Sequence, residues 1–111
     1  MNIFITGGAG FIGCNLAAHH LQKGARVTIY DNLSRPRTGH NLKWLKDMHG
    51  EANPAFVQGD IRDFDAIRHA MIQAQPDLVV HLASQVAVTT SVKNPREDFE
   101  INALGTFNVL E

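Results

Sequence analysis

The amino-acid sequence predicts an α/β fold: a three-layer, doubly wound parallel sheet with helices on both faces. Three observations predict it. Short β-branched runs alternate with amphipathic stretches along the whole chain, and strictly alternating elements imply parallel strands joined by right-handed crossovers. The first strand runs straight into a turn holding Gly7, Gly8, Gly10 and Gly13, four glycines in seven positions. The fourth apolar run, "DLVVHLA", is nearly continuous, the pattern of a strand covered on both faces.

Each element has its own signal. "NIFIT" (Asn2–Thr6) alternates and then turns apolar, as a buried strand does. Phe11 to Lys23 reads as a helix, with Phe11, Ile12, Leu16, Ala17 and Leu21 at helical spacing and Gly24 as a left-handed cap. "RVTIYD" (Arg26–Asp31) is a second strand, and "NLSRPRTGH" after it is a polar loop. Asn41–His49 reads as a short helix with Leu42, Leu45 and Trp44 turned inward. "AFVQ" (Ala55–Gln58) is a third strand, leading through Gly59 to Asp60. Asp63 caps a helix that runs to Gln75 with Phe64, Ile67, Met71 and Ile72 on one side, and Pro76 stops it. Asp77–Ala83 is the fourth strand. In "NPREDFEINALGTFNVLE", Asn94 is an N-cap, Pro95 occupies the first helical position and Glu97 the third, the start of a capping box.

The glycines need a reason, because glycine inside a regular element costs roughly 0.5–1 kcal/mol against alanine. A strand, a glycine-rich turn and a helix supply one. Gly7 makes the tight turn, Gly10 lets backbone approach a pyrophosphate, and Gly13 lets the helix pack close to the sheet. Phosphates then sit at the helix N-terminus, where free N–H groups and the positive end of the dipole lie. The spacing satisfies both G-x-G-x-x-G and T-G-x-x-G-x-x-G. Asp31 ends the next strand where a carboxylate accepts the hydroxyls of an adenosine ribose and repels a 2′-phosphate. The predicted fold is therefore of the Rossmann type, and the predicted cofactor is NAD in preference to NADP. Arg35 and Arg37 argue the other way if they reach a phosphate; as residues of a solvated loop they do not. Asp60 reads either as an acceptor for the adenine amino group, with Ile61 on the ring, or as a turn or capping aspartate. A mononucleotide P-loop is excluded, since no Gly-Lys-Ser/Thr follows the glycines.

Bulk properties narrow the field. The chain has 111 residues, 44% hydrophobic and 19% charged, and a formal net charge of −1. That is ordinary globular composition, without the basic excess a nucleic-acid partner requires. No apolar run approaches the ~20 residues that span a membrane, and no secretory signal is visible. The single cysteine, Cys14, cannot form an intrachain disulfide. The expected compartment is the cytoplasm. Only four strands are readable where a doubly wound domain normally has about six. The expectation is one segment over residues 1–111, truncated on its C-terminal side. The open edge of the fourth strand and the apolar residues Phe99, Leu104, Phe107 and Leu110 then predict a homo-oligomer.

The motifs "TGGAGFIG", "YDNLSR", "GDIRD", "HLAS" and "NPREDFEINALGTFNVLE" resemble the N-terminal portion of the extended short-chain dehydrogenases/reductases, the nucleotide-sugar epimerases and dehydratases. The resemblance covers the whole chain, and within the family it is strongest to CDP-sugar 2-epimerases. It implies that Gly7, Gly10, Phe11 and Ile12 surround the pyrophosphate, and that Asp31, Asn32, Ser34 and Arg35 surround the adenosine ribose. It places Asp60 and Ile61 at the adenine, and Leu82, Ala83, Ser84 and Gln85 along the ribose and nicotinamide. Asn102 opens the family's N-x-x-G-T with Gly105 and Thr106, and Thr89 and Thr90 would face the sugar. The implied reaction removes a hydride from a sugar carbon to NAD and returns it to the other face. Its acid/base is the tyrosine of a Tyr-x-x-x-Lys.

These 111 residues hold one tyrosine, Tyr30, and the residue four on is Ser34. No catalytic residue is therefore expected here. His81, flanked by Val80 and Leu82, reads as a structural strand histidine, and Trp44 as local packing. His19 and His20 are helix neighbours that cannot share a face. Cys14 has no histidine or carboxylate at i+3 or i+4, so no metal site is expected. Three readings stay open: the NAD-binding portion of an epimerase, a non-catalytic NAD-binding or sensing module, and a structural fragment.

Overall fold

A computed structural model describes residues 1–50, 53–84 and 92–111. The strands are β1 (Asn2–Thr6), β2 (Arg26–Asp31), β3 (Ala55–Gln58) and β4 (Leu78–His81). They form one parallel sheet in the order β3-β2-β1-β4. The chain winds outward from β1 to β3, then crosses back to place β4 on the other side of β1. That reversal leaves a crevice beyond the C-terminal ends of β1 and β4, the switch point where ligands bind in open α/β sheets.

β1 is buried on both faces because it is central, and its side chains divide between two cores by strand alternation. Ile3 and Ile5 join Val27 and Ile29 of β2 on one face. There they meet Ala17 and Leu21 of α1 (Phe11–Gln22) and Leu42 and Leu45 of α2 (Thr38–His49). Phe4 and Tyr30 point to the other face, their rings 5.9 Å apart, and pack with Ile67 and Ala70 of α3 (Phe64–Ala74). The last helix closes this second face with Ile101 and Val109. The three layers of the predicted fold are thus present.

The N-caps at Asp63 and Asn94 work as read, and the capping box at Asn94 does so in part, since the Glu97 carboxylate meets the Asn94 side-chain amide and not its backbone N–H. Asp63 accepts the Ala66 N–H at 3.1 Å. Asn94 accepts the Glu97 N–H at 3.2 Å, while its amide donates to Glu97 Oε2 at 3.0 Å. Gly24 takes φ +84° just past α1.

Several expectations need correction. Phe11 and Ile12 are 80% and 68% exposed; they open α1 at the crevice mouth, and its buried face starts at Gly13. α2 begins at Thr38, three residues earlier than read, because Arg37 turns left-handed and the Thr38 hydroxyl donates to the Arg35 carbonyl. Trp44 and Ile72 lie outward, away from the core. α3 ends at Ala74, one residue short of Gln75, which is left-handed. β4 is shorter than the apolar run that announced it, and Leu78 and Val79 are partly exposed at the sheet's edge.

The last helix is not one regular helix. α4 (Pro95–Phe99) passes into a π turn over Glu100–Leu104 and then into α5 (Gly105–Leu110). The Gly105 N–H donates to the Glu100 carbonyl five residues back. At Gly105 the backbone presses on Ile61, whose Cγ1 would be 2.7 Å from an added Cβ. Among the described residues no helix is long and apolar enough to cross a membrane.

Candidate functional site

The crevice is a cleft of about 740 Å³. Its floor is the glycine turn, one wall is the end of β2 with the loop after it, and the other is the end of β4 with the last helix. Gly7 has φ +70°, and an added Cβ would stand 2.8 Å from Ala83 N. Only a glycine lets this turn close against the backbone after β4. Gly13 is needed for space: a Cβ there would meet Gly8 Cα at 2.7 Å and strike the Gly7 carbonyl. Gly10 differs, because an added Cβ would meet only Gly7 O, at 3.3 Å. Its bare face borders the cleft at the N-cap of α1, a helix with no acidic side chain in its first turn. The N–H groups and dipole there are available to an anion.

Two carboxylates stand at the rim. Asp31 Oδ2 accepts the Ala9 N–H at 3.1 Å, and Oδ1 accepts the Leu33 N–H at 2.8 Å. Each oxygen keeps a lone pair for a further donor. Asp31 thereby ties the glycine turn to the end of β2 while remaining able to bind a diol. Asp60 lies in the turn after β3, two residues beyond the strand. Oδ1 accepts Arg62 N at 2.9 Å and Nε at 3.0 Å; Oδ2 accepts Arg62 Nη2 at 2.6 Å and Asn32 Nδ2 at 3.2 Å. These hydrogen bonds, Arg62's foremost, hold its pKa down to about 2. The Asp60 carbonyl accepts the Tyr30 hydroxyl at 2.9 Å. Burial, helped by the Asp63 and Asp60 charges, pushes that phenol up to about 12.

Arg35 is not a free loop cation. Its guanidinium donates to the Ser84 carbonyl and straps the β2 loop to the segment after β4. His81 faces the cleft between two threonine hydroxyls, 2.6 Å from Thr6 Oγ1 and 2.9 Å from Thr106 Oγ1. Burial lowers its pKa.

Of the residues singled out from sequence, Gly7, Gly10, Phe11, Ile12, Asp31, Asn32, Ser34, Arg35, Asp60, Ile61, Leu82, Ala83 and Ser84 all line this cleft. Ile61 does so with little surface, being 5% exposed and part of the second core. Asn102 is not among the lining residues; its amide donates to Asp98 Oδ1 at 3.3 Å. Gln85, Thr89 and Thr90 lie outside the described residues. Sequence reading missed Arg62, Glu97 and Ile101. For Arg62 the available signal is its spacing, two residues after Asp60, from which a guanidinium reaches back to the carboxylate. Among the described residues no three His, Cys, Asp or Glu side chains gather as a metal ion would require.

A parallel sheet with a reversal at β1, a glycine turn opening α1 and a carboxylate closing β2 define the Rossmann class of α/β proteins. The chain belongs to the GDP-mannose 4,6-dehydratase family, within the extended short-chain dehydrogenases/reductases: the family's model matches residues 4–111. It is 47% identical over 111 residues to the CDP-paratose 2-epimerase of Salmonella typhi, covering 100% of this chain and 32% of that protein. Among solved structures it resembles UDP-glucose-4-epimerase from Stenotrophomonas maltophila, which holds NAD and formylated UDP-arabinopyranose. The TM-score is 0.88 and the identity 34%, over 99% of this chain and 32% of that one. The UDP-glucose 4-epimerase of Thermus thermophilus, in complex with NAD, gives a TM-score of 0.81 at 33% identity, over 99% of this chain and 32% of that one. The chain spans about a third of the length of the curated relatives it matches.

Proposed function

We propose that this chain is the NAD-binding N-terminal portion of a nucleotide-sugar epimerase whose substrate is a CDP-sugar. The observation that carries the reading is Asp31, a carboxylate with an open acceptor on each oxygen, fixed to the glycine turn beside the bare face of Gly10. A dinucleotide needs that pair of features: an anion site at a helix N-terminus and a diol acceptor one strand away. The NAD held by the two structural relatives supports the cofactor. The identity to CDP-paratose 2-epimerase supports the sugar nucleotide.

In this reading Gly7, Gly10, Phe11 and Ile12 present backbone to the pyrophosphate. Asp31, Asn32, Ser34 and Arg35 hold the adenosine ribose, and Ile61 lies at the adenine end, where Asp60, its oxygens filled by Arg62 and Asn32, shapes the turn rather than accepting the adenine amino group. Leu82, Ala83 and Ser84 lie along the ribose and nicotinamide, and Asn102 sits in the last helix. NAD, when bound, takes up a hydride and gives it back. Residues 1–111 form one cofactor-binding segment, placed in the cytoplasm. The remainder of such a protein would supply later strands, the sugar site and the acid/base. Those later elements would cover Phe99, Phe107 and Leu110, which are 64%, 58% and 81% exposed, and the whole protein would be a homo-oligomer.

Calorimetric titration with NAD tests the reading. The chain is expected to bind NAD, and Gly10→Val to abolish binding while keeping the parent's circular dichroism. A Gly10→Val variant that binds NAD as well as the parent would remove the phosphate from this turn.

A further inference from the structure

The direction of every hydrogen bond around His81 follows from the groups at the ends of the chain it belongs to. Thr6 Oγ1 accepts the Ala83 N–H at 3.2 Å and shares the Leu82 N–H, at 3.1 Å, with the Thr6 backbone carbonyl. A hydroxyl has two acceptor lone pairs and one proton. Both lone pairs are taken, so the Thr6 proton goes to its third neighbour, His81 Nδ1, at 2.6 Å. Nδ1 is therefore an acceptor, and in a neutral imidazole the proton then sits on Nε2. Nε2 faces Thr106 Oγ1 at 2.9 Å. Thr106 accepts that proton and points its own at the Asn102 carbonyl, 2.6 Å away. A carbonyl can only accept, so the chain runs one way, from the 82–83 amides through Thr6, His81 and Thr106 to Asn102.

That one-way chain joins three parts of the cleft. Leu82 and Ala83 line it, and the backbone of Gly7 rests against Ala83. Thr106 follows the π turn that carries Ile101 of the opposite wall. The Asn102 carbonyl lies inside that turn, where a local π segment often marks a functional position.

We propose that His81 is a positioning residue of the cleft: locked as its Nε2–H tautomer, it fixes the 82–84 wall and the π turn at their separation across the glycine turn. Its bearing on cofactor affinity rests on the reading of the cleft as an NAD site. The tautomer does not.

The first test is nitrogen-15 NMR of the full chain labelled at histidine, at neutral pH and without cofactor. His81 is expected to show a protonated Nε2 and an unprotonated Nδ1. The reverse tautomer, or a mixture of the two, overturns the proposal, and this arm stands whether or not any variant folds. The second test compares Thr106→Val, which removes the hydroxyl at nearly constant volume, with Thr106→Ser, which keeps it. Valine is expected to shift the Leu82 and Ala83 amide signals and weaken NAD about three- to tenfold; serine is expected to restore both. A valine variant with unmoved amides and parental NAD affinity overturns the proposal. A parent chain that shows the Nε2–H tautomer and the valine-induced amide shifts but binds no NAD counts against the cofactor reading alone.

Discussion

Asp31 and Asp60 sit on one rim, and the number of donors on each separates their chemistry. Asp31 accepts two backbone N–H groups and has capacity left; Asp60 accepts four donors and has none. Asp31 is thus the carboxylate with acceptor capacity left for the proposed ribose. Hydrogen bonds to a charged group are worth about 1.5–3 kcal/mol, so Asp31→Ala should weaken NAD by ten- to hundredfold and erase its advantage over NADP. Calorimetry with both cofactors measures this, and unchanged NAD affinity in the variant would discard Asp31 as the selector. Asp60 serves stability. Its carboxyl is held at about 2, chiefly by Arg62, below the ordinary unfolded value of about 3.9. A depressed carboxylate contributes stability that is present above the unfolded value and is lost as pH falls through the folded one. Thermal midpoints should therefore drop between about pH 4 and pH 2, and Asp60→Asn should flatten that part of the profile. A parent and variant with parallel acid profiles would refute the assignment.

Elements whose signals are local were legible in the sequence, and those set by distant contacts were not. β1, β2 and the caps at Asp63 and Asn94 follow from alternation and from side chains reaching three residues ahead. The π turn ends where Gly105 approaches Ile61, residues 44 apart in sequence, and no periodicity announces it. The run "DLVVHLA" reads as a doubly covered strand with an open edge; β4 does lie at the edge, and it is the covering of Leu78 and Val79 that the apolar run overstates. The glycine spacing carried most of the cleft, because Gly7 and Gly13 act through backbone geometry that glycine alone permits. The Asp60–Arg62 pairing was open to reading by spacing, whereas the Thr6–His81 contact spans 75 positions and was not. Gly13→Ala tests the element-level reading. A Cβ at that position meets the backbone of Gly7 and Gly8, which cannot rotate aside as a side-chain end can. Overpacking of this kind costs about 1–3 kcal/mol. The thermal midpoint should fall by at least about 4 °C, roughly what 1 kcal/mol brings in a domain of this size. A variant melting with the parent would show that α1 can move off the turn.

At the scale of the whole molecule, the sheet reversal between β1 and β4 gathers the strand ends around one cleft, and what surrounds that cleft limits what these 111 residues can do. Taking a hydride from a sugar carbon requires a group that removes and returns the hydroxyl proton, positioned and tuned for it. The sole tyrosine, Tyr30, is 1% exposed in β2, donates its hydroxyl to the Asp60 carbonyl and has its pKa raised to about 12. A buried phenol held protonated, with a serine four residues on, does not serve as that base. His81 lines the cleft, but both its ring nitrogens are engaged by threonine hydroxyls. Glu97 also borders it, with Oε2 tied to the Asn94 amide. Of the described residues bordering the cleft, Tyr30 and His81 thus have their polar atoms engaged, and Glu97 has one carboxylate oxygen engaged. The expected outcome is that the 111-residue chain, incubated with NAD and CDP-paratose, interconverts no sugar when followed by NMR. Turnover above a protein-free control, abolished by substituting a residue of this chain, would mean that the acid/base lies within it.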